Sequence, residues 1–235
     1  MTPFASPAAR PRRDISWWLL PILAVLPLAG PAQAQTARGA APGAFDFYVL
    51  ALSWSPGFCA LDGRADDRAQ CSAGRRHAFV VHGLWPQYER GYPRDCSAAD
   101  DSIPRNPSRR AMGFAAGVFP EPGLARHQWR MHGTCSGRMP EDYFRDTARA
   151  RSLVTVPQAL QGLRTERRVS PDAVEQAFIA ANPGLQPDMI ATACQRGRLK
   201  EVRICIKRDL SGFRACPEVD RSGCRDRDIT VDAPQ

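Results

Sequence analysis

Phe45-Asp46-Phe47-Tyr48-Val49-Leu50-Ala51-Leu52-Ser53-Trp54 is the stretch on which the fold turns. It is aromatic and β-branched with few charges, so it reads as a strand buried at the centre of a sheet. Ser55-Pro56-Gly57 ends it. Further along, Ala78-Phe79-Val80-Val81-His82 is a second apolar strand, stopped by Gly83 and Pro86. The stretch from Leu199 to Ile206 alternates polar and apolar residues, the pattern of a half-buried strand, and Asp209 to Gly212 supplies the turn after it. Helical signals lie between. Leu124 to His132 is one, ended by Gly133, and Glu141 to Leu153 is another with two acids at its start, where the helix dipole favours them. Ser170-Pro171-Asp172 combines an N-cap residue with proline at the first helical position, and Asn182-Pro183-Gly184 stops that helix after about Ala181. Residues 87–110, rich in Pro, Asp, Ser and Arg, read as a long surface loop tied down by Cys96. One α+β domain, residues 45–235, is the simplest account.

The segment before it has a different character. Arg10, Arg12 and Arg13 precede a 14-residue apolar run from Trp17 to Gly30, followed by the small-x-small pattern Ala32-Gln33-Ala34. That order is a secretory signal peptide, expected to span residues 1–34 and to be removed. The run is too short and too broken by Pro21 and Pro27 for the ~20 residues a membrane helix needs. No other segment reads as membrane-spanning, and residues 35–44 form a flexible lead-in.

Of the 235 residues, 43% are hydrophobic and 24% charged, which excludes a disordered or collagen-like chain. The formal net charge is +8, carried by 30 Arg and only 2 Lys. A basic surface favours an anionic partner, although a GC-rich genome gives the same arginine bias without functional meaning. The pairs Arg75-Arg76, Arg109-Arg110 and Arg167-Arg168 form no continuous tract. All eight cysteines (Cys59, Cys71, Cys96, Cys135, Cys194, Cys205, Cys216 and Cys224) follow the leader, and in an oxidising compartment they read as four disulfides. Spacing alone leaves their pairing open. None forms Cys-x-x-Cys, so a zinc ribbon has little support.

The four histidines concentrate in two segments: His77 and His82 in RRHAFVVHGLWPQ, and His127 and His132 in HQWRMHGTC. Phosphodiester cleavage needs one group to take a proton and another to return one, and imidazole does either near neutral pH. Two imidazoles therefore suffice to cleave RNA, whose 2′-OH is an internal nucleophile. On a helix, Gln128 and His132 share a face, with His127 and Met131 on the neighbouring stripe. The five-residue spacing of His127 and His132 is not that of a zinc protease. His77 reads as a packed or surface residue.

His82-Gly83-Leu84-Trp85-Pro86 and His127-Gln128-Trp129-Arg130-Met131-His132-Gly133-Thr134-Cys135 resemble the two active-site segments of the ribonuclease T2 family. FDFYVLALSWSPGFC resembles that family's first strand and following cysteine, and LKEVRICI with Cys194, Cys216 and Cys224 resembles its last strands. The resemblance implies an antiparallel central sheet flanked by helices and braced by disulfides. It implies an endoribonuclease of low base specificity, acting on single-stranded RNA without metal or other cofactor and leaving 2′,3′-cyclic phosphate and then 3′-phosphate ends. By position, His132 is the base for the 2′-OH, His82 the acid for the 5′-oxygen, His127 a phosphate contact and Trp85 an aromatic near the base. Trp85 as ordinary core is the other reading. The implied disulfides are Cys59–Cys71, Cys96–Cys135, Cys194–Cys224 and Cys205–Cys216. An exported monomer, periplasmic or extracellular, with no obligate protein partner is expected.

Two positions depart from the family pattern, which usually has Glu at 128 and Lys at 131. Gln128 keeps the shape, and it can donate to a phosphate oxygen but cannot take a proton. Met131 offers neither charge nor donor. Losing one such preorganised donor costs about 100- to 1000-fold in rate, so the expected activity is weakened. Arg130, three residues after His127, is a candidate to contact the phosphate. Two other classes stay open: an exported RNA-binding protein of the same fold that has lost catalysis, and a metal-dependent hydrolase using the four histidines, which a chelator would expose. A purely structural secreted module leaves the histidine clustering unexplained.

Overall fold

The computed structural model describes residues 39–61, 69–71 and 77–234, all within the unit Ala37–Gln235. The expected signal peptide, the first residues of the lead-in and the Arg75-Arg76 pair lie outside the described residues. The strands in chain order are β1 (Phe47–Trp54), β2 (Phe79–Gln87), β3 (Arg167–Val169), β4 (Ile190–Gln195), β5 (Arg198–Lys207) and β6 (Ile229–Val231). The helices are α1 (Ser55–Leu61), α2 (Arg109–Ala115), α3 (Pro122–Met131), α4 (Pro140–Ser152), α5 (Gln158–Gln161), α6 (Pro171–Ala181) and α7 (Pro217–Arg221).

All eight residues of β1 are buried, because β1 has a strand on either side. It pairs antiparallel with β2 and with β5, in the order β2-β1-β5-β6-β3, with β4 on the other edge of β5. The sheet is antiparallel apart from one parallel contact, Arg198 opposite Thr230, where β6 meets β5. Alternation gives β1 two faces. Leu50, Leu52 and Trp54 enter the main core beneath the helices, with Leu84, Trp129, Tyr143, Phe144, Phe178, Val202 and Ile204. Phe47 and Val49 enter a smaller cluster on the opposite face, with Cys205, Cys216 and Val219, and Trp85 packs against it. Each such large apolar side chain contributes about 1.5–3 kcal/mol on burial, so the helix-covered face dominates stability and the other face is left for a cleft.

Helix ends follow their sequence signals. Pro122, Pro140 and Pro171 all occupy first-turn positions. Glu141 and Asp142 open α4 while Arg149 and Arg151 close it, matching the helix dipole. The Ser170 hydroxyl accepts from the Ala173 N–H at 3.1 Å and caps α6. The second strand differs from its expectation. β2 does not stop at Gly83 or Pro86 but runs on to Gln87. It is an edge strand, where proline is tolerated, and Gly83 lies beside an irregularity in its pairing with β1. The expected loop over residues 87–110 likewise loses Gln87 to β2 and its last two residues to α2, which begins there because the Ser108 hydroxyl caps it.

Four disulfides brace the fold: Cys59–Cys71, Cys96–Cys135, Cys194–Cys224 and Cys205–Cys216. The second ties the loop after β2 to the turn just beyond α3. Among the described residues no helix is long and apolar enough to cross a membrane.

Candidate active site

His82 owes its position to one extra residue. The β1–β2 register passes from Ala51 opposite Gly83 to Leu52 opposite Val81, so His82 has no partner of its own. Such a bulge re-aims a side chain, and here it turns His82 onto the face that carries Trp85. β2 and β5 lie about 10 Å apart on either side of β1, and the β1 residues between them on this face are the small Ala51 and Ser53. Across that gap His82 Nδ1 and Glu201 Oε2 of β5 lie 2.5 Å apart. Glu201 Oε1 accepts from Arg203 Nε at 2.8 Å.

α3 supplies the other half. His132 is its C-cap, and its N–H still donates to the Gln128 carbonyl at 2.9 Å although its backbone angles have left the helix. Its ring stacks on Trp85, centroids 5.1 Å apart at 29°, while His82 meets the same indole edge-on at 5.3 Å. The two imidazoles are thus brought together by one tryptophan. The buried Gln128 fixes that tryptophan: Trp85 Nε1–H donates to Gln128 Oε1 at 2.8 Å. An indole N–H can only donate, so the amide oxygen must face it and the amide nitrogen points elsewhere. A Cβ at position 83 would lie 2.2 Å from that oxygen and 2.4 Å from the indole nitrogen. Only glycine allows this joint. Gly133 does the same behind His132, where a Cβ would sit 2.4 Å from the Trp129 ring.

His127, Arg130 and Met131 are exposed. Arg130 and Met131 line a cleft of about 700 Å³ together with Trp85, Tyr92, His132 and Arg203. His77 is half-buried. No three of the four histidines bring ring nitrogens within 4.8 Å of one another, and the one group of potential metal ligands that close among the described residues contains the bridged Cys194 and Cys224. A four-histidine metal site does not assemble.

Electrostatics separates the rings. Burial first, then the charges of His82 and His127, pushes His132 down to about 4, with Glu201 pulling weakly the other way. His132 is therefore a neutral, proton-accepting ring at neutral pH. Partial desolvation, then Arg130 and His82, also lowers His127. Burial works to raise the Glu201 carboxyl, but the His82 hydrogen bond and charge, with Arg203, outweigh it and hold Glu201 ionised.

Glu201 and Arg203 figured in no sequence expectation. The alternation that marks β5 does put both on the face away from the helices. That this face meets His82 depends on the strand order, which a single strand does not encode.

An α+β sheet that gathers two imidazoles onto one tryptophan beside an open, arginine-bearing cleft is laid out for proton transfer at an anionic substrate. The chain belongs to the ribonuclease T2 family, whose model matches residues 45–216. A ribonuclease of Aeromonas hydrophila is 46% identical over 112 residues, 48% of this chain and 47% of that one, so the chain aligns with about half the length of that relative. Ribonuclease DdI of Dictyostelium discoideum is 26% identical over 86% of this chain and 93% of its own. Among solved structures, the RNase-related protein from Calystegia sepium superposes with a TM-score of 0.61 over 81% of this chain and 98% of that one, at 18% identity; this likeness is one of fold.

Proposed function

We propose that the protein is an exported endoribonuclease of low base specificity that cleaves single-stranded RNA by transesterification. The observation that carries the reading is the pair of differently held imidazoles on Trp85: His132 kept neutral, His82 bonded through Nδ1 to a carboxylate. His132 takes the 2′-OH proton. The 2′-oxygen attacks phosphorus, the bond from phosphorus to the 5′-oxygen breaks, and doubly protonated His82 gives its Nε2 proton to that departing oxygen. The products are a 2′,3′-cyclic phosphate and a 5′-OH, and water then opens the cyclic ester to a 3′-phosphate with the roles reversed. His127 and Arg130 offer donors to the phosphate, and Trp85 and Tyr92 offer rings on which a base of any identity stacks, worth about 1–3 kcal/mol per base. Gln128 serves by holding Trp85. The leader-like residues 1–34 and the four disulfides support export.

The test is cleavage of a defined single-stranded RNA by the purified protein in EDTA, with product ends read by mass spectrometry and His132→Ala run in parallel. Cyclic-phosphate ends that disappear in the variant are expected. RNA binding without cleavage would replace this reading with the non-catalytic RNA-binding one, for which Gln128 and Met131 are the motivating residues.

A further inference from the structure

Glu201 is a carboxylate with a side chain only 2% exposed, placed in a sheet and reached by two donors at once. Sheet geometry brings it to His82 by three independent features: the bulge in β2, the small residues Ala51 and Ser53 on β1, and a register that sets Glu201 opposite Ser53. We propose that Glu201 is the positioning residue for His82. It holds a proton on Nδ1, fixes the ring plane, and leaves Nε2 as the one nitrogen able to deliver a proton to the leaving oxygen. This rests on the reading of His82 as the acid.

The chemistry demands a carboxylate in particular. Its two oxygens accept separately, Oε2 from His82 and Oε1 from Arg203. A glutamine has one acceptor oxygen and an NH2 group that cannot accept, so one of the two buried donors would be left unpaired or the imidazole would flip to the wrong tautomer. Wrong-tautomer imidazoles are poor acids even where the fold is intact.

The discriminating experiment compares two substrates. In RNA the leaving 5′-oxygen is a poor leaving group that needs a proton. In a nucleoside 3′-(p-nitrophenyl phosphate), the nitrophenolate departs without one. Glu201→Gln is expected to lower kcat about 100-fold on RNA, the lower end of what a general acid contributes, and to change it less than about threefold on the nitrophenyl ester, with Glu201→Asp recovering part of the RNA rate. Equal losses on the two substrates would show a merely structural carboxylate and overturn the proposal. His82→Ala serves as the reference: if it lacks the same leaving-group selectivity, the assignment of His82 as acid is what has failed. Should Glu201→Gln not fold, the ring nitrogen NMR signals of His82 in the unaltered protein decide, since a bare Nδ1 is incompatible with the proposal and a protonated one bonded to the carboxylate is required by it.

Discussion

At position 128 a side chain that cannot carry a proton still makes a hydrogen bond that a carboxylate would also make, because Trp85 asks only for an acceptor. Position 131 is a different matter, since Met131 is 53% exposed at the cleft and places no cation there. Restoring both, Gln128→Glu with Met131→Lys, is expected to raise kcat/KM on one RNA substrate by up to about 100-fold, the lower figure for one preorganised donor. An unchanged rate would mean that neighbouring cations such as Arg130 or Arg203 already do this work. In the proposed mechanism the neutral form of His132 is the base and sets the acidic side of the pH profile. Its pKa is lowered to about 4, so activity is expected to hold as pH falls from 7 and to be lost only as pH falls through about 4. Below that, log kcat/KM should drop by about one per pH unit. An acid limb near 6.5 would mean that burial does not act on His132 as described.

Between elements, the decisive contact is the edge strand against α3. Gly83 on β2 is where Gln128 and Trp85 meet, and a methyl group there would have to displace both. Gly83→Ala is expected to destabilise the fold by about 1–3 kcal/mol, as overpacking does, and to lower activity further by releasing Trp85 and with it the stacked His132. Thermal unfolding and indole fluorescence read the two effects separately. A variant with native stability and native activity would show that α3 can move away from β2 freely. α4 holds the same strand separately, through fully buried Tyr143, which donates to the Leu84 carbonyl at 2.9 Å.

For the whole molecule the governing quantity is charge. Removal of residues 1–34, with Arg10, Arg12, Arg13 and Asp14, takes the formal charge from +8 to about +6, and with arginines at the cleft this favours electrostatic association with the proposed RNA substrate. Arg94, Arg130 and Arg203 line it. If these three contact phosphates, the slope of log affinity against log salt should be about −2, given about 0.7 counterions released per contact on a single strand. Titrating the inactive His132→Ala protein with a single-stranded oligonucleotide at several salt concentrations measures it. A slope near zero would mean that stacking on Trp85 and Tyr92, rather than the arginines, holds the RNA.

Chemical type was legible in the chain itself. Clustered histidines in two short motifs, an even set of cysteines, capped helix starts and the largely apolar stretch Phe45–Trp54 are local patterns, and local patterns are what side-chain periodicity and backbone preference encode. These gave His82 and His132, the α+β class and the centre of the sheet, while Trp85 and Gln128 were singled out by the resemblance of their segments to the ribonuclease T2 motifs. What tertiary structure alone decided is long-range. His82 and Glu201 are 119 residues apart, Trp85 and Gln128 are 43 apart, and whether they touch depends on strand order, on one unpaired residue in β2 and on two small side chains in β1. The alternation of β5 marks Glu201 as facing away from the helices, but only assembly of the sheet determines which residue it faces. Burial likewise arises only on folding, and it is burial above all that lowers the His132 pKa.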